Sequence, residues 1–391
     1  MLTTPPLSLY LHMPWCVQKC PYCDFNSHQD HQADFDRYLK ALQEDICLDA
    51  PMVKDRTIST VFIGGGTPSL MPVEFYQQLF ATLQEQLSFS DDCEITIEAN
   101  PGASDAERFA GYVELGMNRL SIGAQSFDAG QLQQLGRIHD PQAIFRSYQQ
   151  ARQAGFKRIN LDLMFGLNEQ SQAQALDDLR QALTLKPEHL SWYQLTIEPN
   201  TIFGKRPPKS LPEHDALDDI YQAGLEQLSA AGYEQYEVSA HANMNAPSSE
   251  RCRHNVNYWR FGDYLALGAG AHGKLTFVNK QQIWRYQKTR SPKDYMQRIG
   301  SRTSQHRDLD HQARFEEFFL NSLRLKDQLI TAQDYRQRTG LELNEIISAI
   351  NRHPWLGEFF HLESQQLRLL EAGYQRLDSV LTTLYETQAN Q

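Results

Sequence analysis

The chain has 391 residues, 41% of them hydrophobic and 22% charged, enough for a large α/β domain with an accessory one. Its net charge of −11 argues against a general nucleic-acid binder, which would carry a basic footprint. No apolar run approaches the roughly 18–20 residues of a membrane-spanning helix, and MLTTPPLSLYLHMP lacks the features of an export signal, so a cytoplasmic protein without a membrane span is expected.

Short apolar runs alternate with helix-like stretches from residue 7 to about 275. LSLYLHM (7–13) reads as a strand, and 33–49 as a helix with Phe35, Tyr38, Leu39, Leu42 and Ile46 on one face. STVFIGGGTPS (59–69) reads as a strand running into a glycine turn, followed by a helix at 72–88. Further strand–helix pairs are expected at 93–101 and 104–115, 118–126 and 141–154, and 158–167 and 171–185. A strand at 189–199 precedes a Pro- and Lys-rich loop and a helix at 214–231. Six such units with right-handed crossovers predict a parallel sheet, flat or curled. Cysteines, GGGTP, Glu98, Gln125 and Asp162 recur where strands are expected to end, which would bring them to one rim.

Beyond residue 300 the pattern changes. Helices are expected at 314–327, 331–340, 343–352 and 371–386, with a short hairpin within 357–373, as in a winged-helix-like module. Residues 301–391 hold ten Lys and Arg against thirteen Asp and Glu, the wrong sign for a phosphate-binding surface, so a packing or lid role is expected. The expected division is 1–300 and 301–391.

Three of the six cysteines cluster in HMPWCVQKCPYCDF (12–25) as Cys16, Cys20 and Cys23, spaced C-x3-C-x2-C. Cys47, Cys93 and Cys252 are scattered and are expected to be small buried hydrophobes. Thiolates suit zinc or iron–sulfur clusters. A structural zinc site usually closes with four ligands, and His12 or His28 could supply the fourth here. A four-iron cluster held by three cysteines instead leaves one iron open to an exchangeable ligand.

That spacing, with the aromatic Tyr22 directly before the third cysteine and GGGTPS after the second strand, resembles the radical S-adenosylmethionine (SAM) superfamily. The resemblance implies an α/β fold, a partial TIM-like (β/α)6 barrel, with a [4Fe-4S] cluster on Cys16, Cys20 and Cys23 and SAM on the fourth iron. YLHMPWC, CPYCDF, VFIGGGTPS, ITIEANP, LSIGAQSF, LGRIHD and NLDLMFGL narrow the resemblance to the family of oxygen-independent coproporphyrinogen III dehydrogenase and the haem chaperones related to it, over residues 7–380. It implies SAM contacts from Tyr10, Tyr22, Gly65, Gly66, Thr67, Glu98, Gln125, Arg137 and Asp162.

Two features separate the branches of that family. The dehydrogenase has a further cysteine where this chain has Phe25, and a longer arm before its first strand. HNVNYW, in the segment 250–275, resembles instead the haem-chaperone signature. It implies His254 as a ligand of haem iron, with Tyr258 and Trp259 against the porphyrin, and His272 as a weaker candidate. The expected function is binding of haem and its transfer to an acceptor protein, which could be membrane-associated. The alternative is radical oxidative decarboxylation of coproporphyrinogen III, so the sequence leaves open whether the chain is an enzyme.

Overall fold

The computed structural model describes residues 1–30, 32–102, 107–326 and 328–389. Six strands, β1 (Leu7–Met13), β2 (Thr57–Gly65), β3 (Ser88–Ala99), β4 (Arg119–Gln125), β5 (Arg158–Phe165) and β6 (His189–Gln194), lie side by side in chain order, and every neighbouring pair is parallel. Helices α1 (Phe35–Asp49), α2 (Val73–Gln86), α3 (Pro141–Ala154), α4 (Gln172–Leu185) and α5 (His214–Ala230) cross between or after them. A short helix, Phe109–Glu114, stands where one is expected at 104–115; the first residues of that stretch lie outside the described residues.

Local chemistry sets the helix ends. Asp140 accepts from Ala143 N at the start of α3, where Pro141 stands at a first-turn position, and Gly155 ends the helix at φ +108°. Ser171 and Gln174 form a reciprocal capping box on α4.

The sheet is larger than the six expected units. After α5 come β7 (Tyr233–Glu237), β8 (Ala240–Asn243), β9 (Asp263–Leu267), β10 (His272–Phe277), β11 (Gln282–Lys288) and β12 (Thr303–Asp308). The order is β12-β11-β10-β9-β1-β2-β3-β4-β5-β6-β8-β7. β9 pairs parallel with β1 and extends the parallel run to seven, whereas the outer strands on both flanks are antiparallel. β12 falls within the stretch expected to be C-terminal, but it is an edge of this sheet.

The two faces of the parallel strands differ in chemistry. Leu9, Leu11, Val61, Ile63, Leu120, Ile122, Leu161 and Leu163 are fully buried in the main apolar core. The alternate positions, Tyr10 and His12, Phe62, Thr96 and Glu98, Arg119 and Ser121, Asn160 and Asp162, His189 and Ser191, line a cavity of about 720 Å³. Period-two side-chain alternation therefore makes an apolar outer face and a polar bore.

A second core gathers Phe315, Phe318, Phe319, Tyr335, Ile346, Ile350, Leu367 and Val380 with Leu2, Phe261 and Ile283. Its elements are helices His311–Ser322, Ala332–Thr339, Leu343–Arg352 and Leu377–Ala389, with a three-stranded antiparallel sheet of β13 (Ile330–Thr331), β14 (Phe360–Glu363) and β15 (Gln366–Leu369). The helices and the hairpin match the winged-helix-like expectation.

Candidate functional site

The cysteine loop follows β1 directly. Trp15–Cys16 pairs with His28–Gln29 in a two-residue parallel ladder that closes the loop. Cys16 is buried, and burial pushes its thiol up. Cys20 and Cys23 are half-buried, with Cys23 N–H donating to Cys20 O at 3.2 Å. Arg137 Nη1 approaches Cys20 Sγ at 3.5 Å, and Ser27 Oγ lies 3.6 Å from Cys23 Sγ. Soft sulfur ligands without a fourth protein ligand suit a cluster with one open iron. The two histidines that could complete a zinc site point elsewhere. His12 is held between Tyr10 OH and Asn26 O, both at 2.9 Å, and His28 Nε2 faces Asn26 Oδ1 at 3.3 Å. Among the described residues no three His, Cys, Asp or Glu groups gather round one metal ion.

The glycine turn packs beneath this loop. Gly66 N donates to Met13 O at 2.7 Å and Thr67 N to Trp15 O at 2.8 Å. A Cβ on Gly65, at φ +116°, would meet the His12 ring at 2.6 Å, and one on Gly66 would meet Trp15 O at 2.5 Å. These glycines are thus required by the protein's own packing, before any ligand is considered. Glu98 Oε2 accepts from Gly65 N at 3.1 Å. Burial, then the nearby Asp162, pushes the Glu98 carboxyl up to about 8. Asp162 accepts from Ser121 Oγ at 2.9 Å and Asn160 Nδ2 at 2.8 Å, and burial raises it as well. It lies within β5 rather than at its end, so it faces the bore and not the rim.

The expected SAM residues divide into two groups. Tyr10, Gly65, Glu98 and Asp162 line the cavity. Tyr22, Gly66, Thr67, Gln125 and Arg137 surround the loop outside that lining. Arg137 Nη2 is held by Asn100 Oδ1 at 2.6 Å and Gly123 O at 2.7 Å. Gln125, at φ +68°, accepts from Tyr193 OH at 2.8 Å, and Asn100 Nδ2 donates to Thr67 Oγ1 at 2.9 Å. Tyr22 packs beside Phe203, and burial raises its hydroxyl.

His254 lies at the opposite end of the bore, on α6 (Arg253–Trp259), beside the first halves of β1 and β2. Glu94 Oε1 caps that helix, accepting from Arg253 N at 2.8 Å and His254 N at 3.3 Å. Thr60 Oγ1 donates to Ser8 Oγ at 2.7 Å and lies 3.0 Å from His254 Nδ1. With the threonine proton committed to Ser8, Nδ1 is the donor and Nε2 keeps the lone pair. Nε2 has no partner among the described residues. Burial pushes His254 down to about 3, so its ring is neutral near pH 7. Tyr258 lines the cavity too, but Trp259 does not. The Trp259 ring lies under the Arg324 guanidinium at 4.4 Å and packs with the group around Tyr236 and Leu325, which corrects its expected place on a porphyrin face.

The bore residues Thr96, Arg119, Ser121, Asn160, His189 and Ser191 were not singled out by motif. The alternation in RLSIG, INLDLMF and HLSWYQ was the signal that could have found them. Of the scattered cysteines, Cys93 and Cys252 are buried, but Cys47 is exposed, because it lies on the outer side of α1.

A family model, the radical SAM superfamily, matches residues 10–182. A protein of Haemophilus influenzae named heme chaperone HemW is 49% identical over 352 residues, 89% of this chain and 90% of its own length. One of the same name from Escherichia coli K12 is 51% identical over 326 residues, 83% and 84% of the two chains. A third, from Bacillus subtilis, is 36% identical over 272 residues, 68% and 71% of the two chains. Among solved structures, coproporphyrinogen III oxidase (HemN) from Escherichia coli, described as a radical SAM enzyme, superposes with a TM-score of 0.83 over 97% of this chain and 90% of its own, at 23% identity. That likeness establishes a shared fold.

Proposed function

The chain belongs to the HemW family of haem chaperones within the radical SAM superfamily, and from that premise we propose that it binds haem and passes it to a haem-requiring acceptor protein in the cytoplasm. Cys16, Cys20 and Cys23 would hold a [4Fe-4S] cluster whose fourth iron takes SAM. Bound there, the reduced cluster supplies one-electron chemistry to a sulfonium. Gly65, Gly66 and Thr67 offer backbone and hydroxyl groups to the methionine end of SAM. Tyr10, Glu98 and Asp162 offer hydrogen bonds from the bore, and Tyr22, Gln125 and Arg137 support the loop side.

The observation that carries the haem assignment is His254. Its ring is buried and neutral, with Nδ1 tied to Thr60 and the Nε2 lone pair free, and the residue borders the large cavity. A ligating histidine needs this arrangement: one nitrogen fixes the ring while the other faces the metal. Tyr10, Phe62 and Tyr258 add aromatic wall beside it. Phe25, where the dehydrogenase branch has a further cysteine, is consistent with carriage rather than decarboxylation.

The test is haem titration of the anaerobically reconstituted protein. A Soret shift that is altered or lost in His254→Ala supports the assignment. Wild type without a Soret change, or robust conversion of coproporphyrinogen III by the same sample, overturns the chaperone reading.

A further inference from the structure

Asn26 ties three separate segments together at the open end of the bore. Its Nδ2 donates to Ala269 O and Arg290 O, both at 2.9 Å, and its Oδ1 accepts from Arg290 Nε at 3.3 Å. Gly270 passes so close that a Cβ there would meet the Asn26 amide at 2.3 Å. This clasp brings Phe25, from the cysteine loop, beside Arg290 and the segment that leads to His272. All three line the cavity and all three are exposed, Phe25 at 62%. Two lining aromatics, Tyr264 and Tyr258, continue the wall inward. Neither Nη of Arg290 has a partner among the described residues.

A large apolar ring left in water next to a cationic fork, at the mouth of a cavity, is a combination that packing does not require. Phe25 adds nothing to either core there, and Arg290 spends only its Nε on the clasp. Together they match a ligand that is planar, aromatic and acidic along one edge.

We propose that Phe25 and Arg290 form a lip that holds the carboxylate edge of a porphyrin, with Phe25 against the ring and Arg290 on a propionate, while the apolar edge enters the bore. The proposal rests on the haem reading above and adds the orientation: charged edge towards water, iron towards His254. His272 stands at the same lip, and a ring N–H there can donate to the second propionate. Asp24 places an opposing carboxylate at the same lip, which keeps the hold loose enough for release.

The experiment compares haem with haem dimethyl ester, which lacks the free carboxylates, in Soret titrations of the reconstituted protein. Arg290→Gln should weaken haem binding about threefold and leave the ester unaffected, as for an exposed ion pair. Phe25→Ala should weaken both ligands about tenfold, with Phe25→Tyr close to wild type. Asp24→Asn should tighten haem and not the ester. The Soret position should stay unchanged in all of them, because the iron ligand is not touched. If wild type binds haem and the Arg290 and Phe25 variants bind both ligands as tightly, the lip is overturned and the haem reading stands. If wild type shows no Soret change, the haem reading fails, and the lip with it.

Discussion

The Gly65 N–H donates to Glu98 Oε2 at 3.1 Å, joining the glycine turn after β2 to the end of β3. One bond thus couples two motifs thirty-three residues apart, and it is the one hydrogen bond that opposes the raised pKa of Glu98. Burial and Asp162 outweigh it, and the folded chain holds a proton on Glu98 up to about pH 8.

The sign of the stability effect follows. Unfolded, a glutamate loses its proton near pH 4.3, so between about pH 4.5 and 8 unfolding releases a proton that the fold had kept. Rising pH therefore weakens the ligand-free fold across that window. Glu98 opens onto the cavity, which discounts the effect to on the order of 2–3 kcal/mol. The urea midpoint of wild type should fall between pH 5 and pH 8.5 by more than that of Glu98→Gln. Equal pH dependence in the two proteins would remove Glu98 from the account. A cationic ligand group beside Glu98 would favour its ionised form and reverse part of the loss.

Gly65 itself makes a sharper case. Its positive φ and the 2.6 Å approach of a Cβ to the His12 ring leave Gly65→Ala two kinds of strain. The expected destabilisation is about 2–4 kcal/mol, read from chemical denaturation. Gly64→Ala meets softer contacts, near 3.0 Å from the Phe62 ring and 3.1 Å from Glu98 Oε2, and should be milder. A reversed order would mean that the His12 ring, between Tyr10 and Asn26, can move aside.

The six parallel strands could be read from the sequence because each is a short alternating or apolar run bounded by polar or glycine residues, as in ITIEANP and NLDLMFGL. The flanking strands could not. TSQHRD is polar throughout and five of its six residues are exposed, so only its pairing with Gln282–Lys288 makes it a strand. Asp263–Leu267 becomes the seventh parallel strand through pairing with residues more than 250 positions earlier, which no local pattern encodes. The site shows the same division. Spacing singles out Cys16, Cys20 and Cys23 as the expected cluster ligands. The separation of His254 from the cysteine loop along the bore, and the turning of Trp259 towards Arg324, come from long-range packing.

The three cysteines should be separable from the fold. Cys23 is half-buried, and the hydrogen-bond partner of its sulfur among the described residues is the Ser27 hydroxyl, at 3.6 Å. Cys23→Ala should therefore keep the far-ultraviolet circular dichroism of wild type. After reconstitution it should lose most bound iron and sulfide and the broad visible absorption of a cluster. Full iron content in that variant would take Cys23 out of the ligand set.

The outer strands are fastened by a buried charge that also gives a prediction. Lys288, at the end of β11, is fully buried and reaches Asp45 Oδ1 at 2.7 Å and Asp49 Oδ2 at 2.5 Å on α1. Tyr295 OH donates to the other oxygen of Asp45 at 2.7 Å. One ammonium thus serves two carboxylates, and burial already pushes Asp49 up. Lys288→Met leaves both acids without a cation in an apolar setting, and should destabilise the protein by about 3–5 kcal/mol at pH 7. Lowering the pH lets Asp49, already pushed up by burial, take up a proton, so the deficit should shrink towards pH 5. Adding Asp49→Asn to Lys288→Met removes one of the stranded charges and should restore part of the loss. If the single variant unfolds at the wild-type denaturant concentration at both pH values, water reaches this cluster and the strands are held by their backbone pairing alone.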